Sequence, residues 1–129
     1  MRILIADDDI EAMEGLITIL REYGGHTVKQ VSTVSEAETE FSGDSWDYDL
    51  FIVDVQIRPS LEEKEGESLE AGLTLPRKFR ARFDNEKVLI LTNNLHRVPT
   101  YLFRSHPNTK ARDKVEVRGR RIVDLLRDW

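Results

Sequence analysis

The chain has 129 residues and a formal net charge of −5, from 19 Lys and Arg against 24 Asp and Glu, and at 40% hydrophobic content it can build the single core of one domain. It holds no cysteine and no apolar run near the ~18 residues of a membrane span, so disulfides, thiolate nucleophiles, Cys-ligated zinc and a transmembrane anchor are excluded and a cytoplasmic setting is expected. The charge is split: residues 1–75 hold 5 basic and 18 acidic side chains, a balance of −13, whereas residues 76–129 hold 14 and 6, a balance of +8, so the chain as a whole is no basic nucleic-acid binder.

Ile3-Leu4-Ile5-Ala6 is a continuous apolar run that stops at Asp7, the pattern of a strand buried on both faces of a parallel sheet. Because the run after Arg2 meets Asp7-Asp8-Asp9, it is no signal-peptide core. Ile10, Met13, Leu16, Ile17 and Leu20 then recur at helical spacing, and Gly24-Gly25 supplies a stop. Thr27 to Val31 reads as a short strand. Ser35 with Glu38 three residues on reads as a capping box that opens a helix through Phe41. Leu50-Phe51-Ile52-Val53 is the second strong strand and ends at Asp54. Gln56 to Glu70, with five glutamates, reads as an exposed acidic loop.

Leu73, Leu75, Phe79 and Phe83 predict a helix, with Pro76 near its start. Val88-Leu89-Ile90-Leu91 is the third strong strand, ending at Thr92. Val98 to Phe103 reads as a short helix with Pro99 in its first turn. Thr109 to Asp113 is a poor strand, polar enough to suit only an edge. Val117, Ile122, Leu125, Leu126 and Trp129 mark a final helix weakened by Gly119. Strands alternating with helices imply right-handed crossovers and a three-layer, doubly wound α/β domain over residues 1–129, with a five-stranded parallel sheet.

In such sheets ligands bind beyond the carboxyl ends of the strands, where the strand order reverses. The three strong strands end in Asp7-Asp8-Asp9, Asp54 and Thr92. If the first and third strands are neighbours, their carboxylates converge, repel and raise one another's pKa, a cost that a hard divalent cation relieves. A carboxylate cluster with a hydroxyl and a lysine nearby is a phosphoryl-transfer constellation. Each residue also has a plainer role, since Asp caps helices at strand-to-helix turns, and Asp9 suits that role.

These segments resemble a family. "RILIADDD" looks like the first strand and acidic pair of the receiver domain of bacterial response regulators, the CheY-like phospho-acceptor module of two-component signalling. "DYDLFIVDVQI" looks like the strand with its phospho-accepting aspartate, "AGLTLPRKFRA" like its third helix and "KVLILTN" like the strand with its hydroxyl residue. The resemblance implies a flavodoxin-like sheet of order 2-1-3-4-5. It implies Asp7, Asp8, Asp54 and the Gln56 carbonyl as Mg²⁺ ligands, Asp54 as the nucleophile and Thr92 as a partner of the phosphoryl group. Lys114 matches the family's lysine, with Lys110 as competitor, and Val115 stands where a proline usually follows. The positions near that lysine that often carry an aromatic switch residue hold Ala111 and Arg112.

The implied activity is transfer of a phosphoryl group to the chain's own Asp54, not enzymatic turnover. A histidine kinase or histidine phosphotransfer protein would be the donor. A face built by the fourth and fifth helices and the fifth strand would respond, with homodimerisation through the C-terminal face as one outcome. The downstream effector is expected to be a separate protein or to lie beyond Trp129, with no direct nucleic-acid contact expected of this chain. Two other readings stand beside it: a pseudo-receiver that only binds partners, and a haloacid-dehalogenase-type phosphohydrolase. The second also starts with Asp-x-Asp, but this chain has Glu11 where that family has Thr or Val, and too little length for a cap. His26, His96 and His106 lack metal-ligand spacing. Arg118, Arg120 and Arg121 with Asp124 and Asp128 read as a salt-bridged or partner-facing surface, and Trp129 as a residue that packs back on the core or meets a partner.

Overall fold

The computed structural model describes residues 1–55, 57, 69–93, 95–104 and 106–129, the side chains of 69–72 excepted. Among these residues the strands are β1 (Arg2–Ala6), β2 (Thr27–Val31), β3 (Leu50–Val53), β4 (Lys87–Thr92) and β5 (Thr109–Asp113). The helices are α1 (Ile10–Glu22), α2 (Val34–Phe41), α3 (Leu69–Arg82) and α4 (Arg121–Arg127), with 3₁₀ turns at Leu95–Arg97 and Thr100–Leu102. All strand pairs are parallel and the sheet order is β2-β1-β3-β4-β5. This is the doubly wound α/β fold that the alternating pattern predicts, in the flavodoxin-like order that the resemblance implies.

The strand runs are continuously apolar because both sheet faces are covered. Leu4, Ala6, Phe51, Val53, Val88 and Ile90 join residues of α2 and α3 in one core layer, while Ile3, Ile5, Leu50, Ile52, Leu89 and Leu91 join residues of α1 and α4 in the other. Phe79 centres the first layer. Its ring lies 5.5 Å from Phe41, 5.0 Å from Phe51 and 4.6 Å from Trp46, in tilted and edge-on pairs that suit aromatic quadrupoles. Strand β5 is an edge strand, which is why "TKARD" can be one: Thr109 and Ala111 are buried, and Lys110, Arg112 and Asp113 are half-buried. Trp129 packs on the second layer, with Lys110 Nζ 5.0 Å from its ring centre.

At four places the local reading and the structure differ. The N-cap of α2 is Thr33, not Ser35: its hydroxyl oxygen accepts from the Glu36 N–H at 3.1 Å, and Thr33 is extended where Ser35 is already helical. Among the described residues helix α3 spans Leu69–Arg82, so Pro76 lies inside it and has no N–H to give to the carbonyl four residues back. The fourth predicted helix is replaced by the two 3₁₀ turns, with Pro99 between them at φ −59° and ψ 132°, outside the helical region. Helix α4 starts only at Arg121, since Gly119 has φ +62°; Val117 stays in the core from the turn before it. At the end of α1 the stop is as read: Gly25 has φ +67°, and a Cβ on Gly24 would lie 2.5 Å from the His26 ring. The acidic stretch 56–68, apart from Ile57, lies outside the described residues.

A carboxylate and lysine site at the switch point of the sheet

Strand order reverses between β1 and β3, which are neighbours with Ala6 opposite Val53. The next residue on each strand is therefore Asp7 and Asp54, and the Asp54 N–H donates to the Ala6 carbonyl at 2.9 Å. Strand β4 ends beside them in Thr92, which is fully buried, and pairs through Thr92 with Asp113 of β5. The Lys114 N–H donates to the Thr92 carbonyl at 2.9 Å. From there the Lys114 side chain crosses the strand ends, with Nζ 2.8 Å from Asp7 Oδ2 and 2.9 Å from Asp54 Oδ2. Asp7 and Asp54 are buried, at 2% and 6% exposure, and the ammonium between them is nearly so.

The electrostatics follow from that geometry. Burial and then repulsion from Asp54 push the Asp7 carboxyl up from 3.8 to about 6, against the pull of Lys114. Burial alone would lower Lys114, but the charges of Asp54 and Asp7 outweigh it and its pKa is raised. One ammonium thus serves two buried carboxylates, and the site retains an uncompensated negative charge when both are ionised. The other Asp7 oxygen accepts from the Asp9 N–H at 2.9 Å. Asp9 itself caps α1, accepting from the Ala12 N–H at 3.1 Å, as its position suggested.

Of the predicted site residues, Asp7, Asp54, Thr92 and Lys114 come together at the strand ends, and Asp8 sits half-buried next to Asp7. Gln56 lies outside the described residues. Lys110 is elsewhere, over the Trp129 ring. Sequence reasoning missed Gln30, whose side-chain nitrogen donates to the Asp7 carbonyl at 3.2 Å from β2; its one signal was a polar residue late in that strand. It also missed a cleft of about 490 Å³ beside Lys114, between Met13 and Leu16 of α1 and Val117, Arg118 and Gly119. Arg127, not the arginines before it, pairs with Asp124 at 2.7 Å, and Arg120 stacks on Tyr23 at 4.4 Å. Of the two positions where the resemblance implies an aromatic residue, Ala111 is buried and Arg112 half-buried.

The fold has close counterparts among solved structures. The receiver domain protein from Methanospirillum hungatei is 21% identical, with a TM-score of 0.72 over 98% of this chain and 90% of that one. Response regulator TrrA from Thermotoga maritima, in complex with Mg²⁺-BeF, is 19% identical, with a TM-score of 0.67 over 98% and 96%. The chemotaxis protein CheY4 of Vibrio cholerae is 15% identical, with a TM-score of 0.70 over 98% and 96%. The chain has the receiver fold. No family model matches the sequence, and no curated protein does. Among the described residues, no helix of this receiver fold is long and apolar enough to cross a membrane.

Proposed function

We propose that this chain is a response-regulator receiver that accepts a phosphoryl group on Asp54, with Mg²⁺, from a histidine kinase or phosphotransfer protein. The observation that carries the reading is the Lys114 ammonium held between Asp7 and Asp54 at the switch point of a receiver fold. A buried carboxylate next to a fixed cation is a nucleophile set beside the charge that a phosphoryl group brings.

The donor set suits magnesium. Two buried carboxylates against one ammonium leave negative charge to be neutralised, and burial followed by repulsion from Asp54 keeps the Asp7 pKa raised despite Lys114. Among the described residues no cage of three or more His, Asp, Glu or Cys side chains is preformed; magnesium asks for one or two carboxylates and keeps several waters. Asp7, Asp8 and Asp54 would hold it, with the Gln56 carbonyl as a further ligand. When bound, the ion neutralises charge on the phosphoryl oxygens.

An Asp54 oxygen attacks phosphorus, the new O–P bond forms as the donor's P–N bond breaks, and the imidazole nitrogen leaves with that bond's electrons. Lys114 then exchanges its contact with Asp54 for a phosphoryl oxygen. Thr92, at the end of β4, is the hydroxyl partner. The response falls on the face of β5, α4 and the two 3₁₀ turns, which a separate effector or a second copy would read. Mass measurement after incubation with acetyl phosphate tests this directly. A gain of one phosphoryl group that needs Mg²⁺ and vanishes in Asp54→Asn is expected, and no gain refutes the reading.

A pseudo-receiver that only binds partners is the second reading. It is favoured by the 3₁₀ turns in place of a helix and by Ala111 and Arg112 at the two positions where the resemblance implies an aromatic residue. It expects Asp54→Asn to leave partner binding unchanged and Mg²⁺ affinity to be unmeasurable.

A further inference from the structure

Lys114 lies one residue beyond β5, where the pleat of a strand no longer sets the direction of a side chain. One side of its backbone is held by the bond from its N–H to the Thr92 carbonyl. The other side is held by Asp113, twice over. The Asp113 carbonyl accepts from the Glu116 N–H at 3.0 Å, which closes a turn with Lys114 and Val115 at its corners. Asp113 Oδ1 accepts from the Val115 N–H at 2.9 Å, a side-chain brace across the same turn. Val115, unlike proline, has an N–H to give. Its side chain is exposed, so the core does not fix this corner. The backbone from which the ammonium is launched is therefore set by bonds to Thr92 and Asp113.

We infer that Asp113 is a positioning residue: its carboxylate fixes the turn that aims the Lys114 ammonium at Asp7 and Asp54. The consequence for phosphorylation rests on the function proposed above; the positional role does not. Asp113 pairs with Thr92 in the sheet, so one backbone junction carries both the hydroxyl residue and the brace of the lysine.

The test uses the full chain as wild type, Asp113→Ala and Asp113→Asn, with two readouts. The first needs neither magnesium nor a phosphoryl donor: the rate at which an N-hydroxysuccinimide ester acetylates Lys114, followed by peptide mass spectrometry with Lys110 and Lys87 as references. The second is the rate of phosphorylation by acetyl phosphate with Mg²⁺. In Asp113→Ala, Lys114 should be acetylated about fivefold faster, the weight of one side-chain-to-backbone bond. Lys110 and Lys87 should be unchanged and phosphorylation slower by a similar factor. Asp113→Asn keeps an oxygen to accept from Val115 and should match wild type in both. An unchanged Lys114 rate in the alanine variant overturns the inference. So does an equal rise at Lys110, which would report a loosened β5, or a failure of asparagine to restore either rate. If wild type takes up no phosphoryl group, the proposed function falls alone, and the acetylation rates still decide the role of Asp113.

Discussion

Replacing Asp7 by Asn should stabilise the protein at pH 8 while removing a ligand of the proposed site. The folded-state pKa of Asp7, about 6, lies above its ordinary value of 3.8. Folding therefore favours the protonated acid. The stability this contributes is complete below pH 3.8 and is lost as the pH rises through 6. At 1.36 kcal/mol per pKa unit, the ionised form at pH 8 costs about 3 kcal/mol. Asparagine stands in for the protonated acid and escapes that cost; the pull of Lys114 on Asp7 is already contained in the pKa. Urea unfolding without magnesium should show the variant more stable by about 3 kcal/mol at pH 8, with the gap closing towards pH 4. By melting temperature the gap at pH 8 is about 10 °C for a chain of this size. If magnesium binds at the proposed site, it should narrow the gap from the other side, by up to about 1.4 kcal/mol at ten times its Kd, because the variant lacks one of the ligands. A gap that does not change with pH, or a variant less stable than wild type at pH 8, would refute the reasoning.

Three further outcomes follow from the same structure. Lys114→Ala leaves Asp7 and Asp54 buried without their cation and should lower stability at neutral pH by about 3 kcal/mol, against under about 1 kcal/mol for Lys110→Ala, which loses only its contact with Trp129; equal losses in urea titrations would contradict the placement of the two lysines. Arg80 donates to the carbonyls of Phe83, Asp84, Glu86 and Asn108 and to the Thr109 hydroxyl, tying the end of α3 to β4 and β5, so Arg80→Ala should cost about 2–4 kcal/mol in chemical denaturation. Thr33→Ala should cost about 1 kcal/mol and Ser35→Ala much less, and calorimetry showing the reverse order would reject Thr33 as the cap of α2.

The central strands are legible because parallel pairing buries both faces, so Ile3 to Ala6, Leu50 to Val53 and Val88 to Leu91 are apolar without interruption and stop at the polar residues of the site. Strand β5 carries no such signal, since an edge strand has less burial to satisfy, and Thr109 to Asp113 reads only as a poor strand. Distance from Thr92 already favours Lys114 over Lys110 in the sequence, and the end of β5 at Asp113 puts Lys114 beside Asp7 and Asp54. Capping was misread at α2 because Thr33-x-x-Glu36 and Ser35-x-x-Glu38 are equivalent as patterns, and only the chain direction entering the helix separates them. The helix read over 98–103 is two single turns in the structure, with Pro99 at ψ 132° between them and so outside the helical region.

The strand order gives the charge split a direction in space. The acidic part of the sequence supplies β2, β1 and β3, and the basic part supplies β4 and β5, so the boundary runs along the sheet between β3 and β4. A molecule of net charge −5 then carries an electric moment across its sheet that a single net number hides. In the field of a charged partner it turns before it touches, presenting one edge of the sheet and withholding the other. Encounter is oriented at a distance set by ionic strength, about 8 Å under physiological salt, and added salt should slow it by loosening orientation as well as attraction.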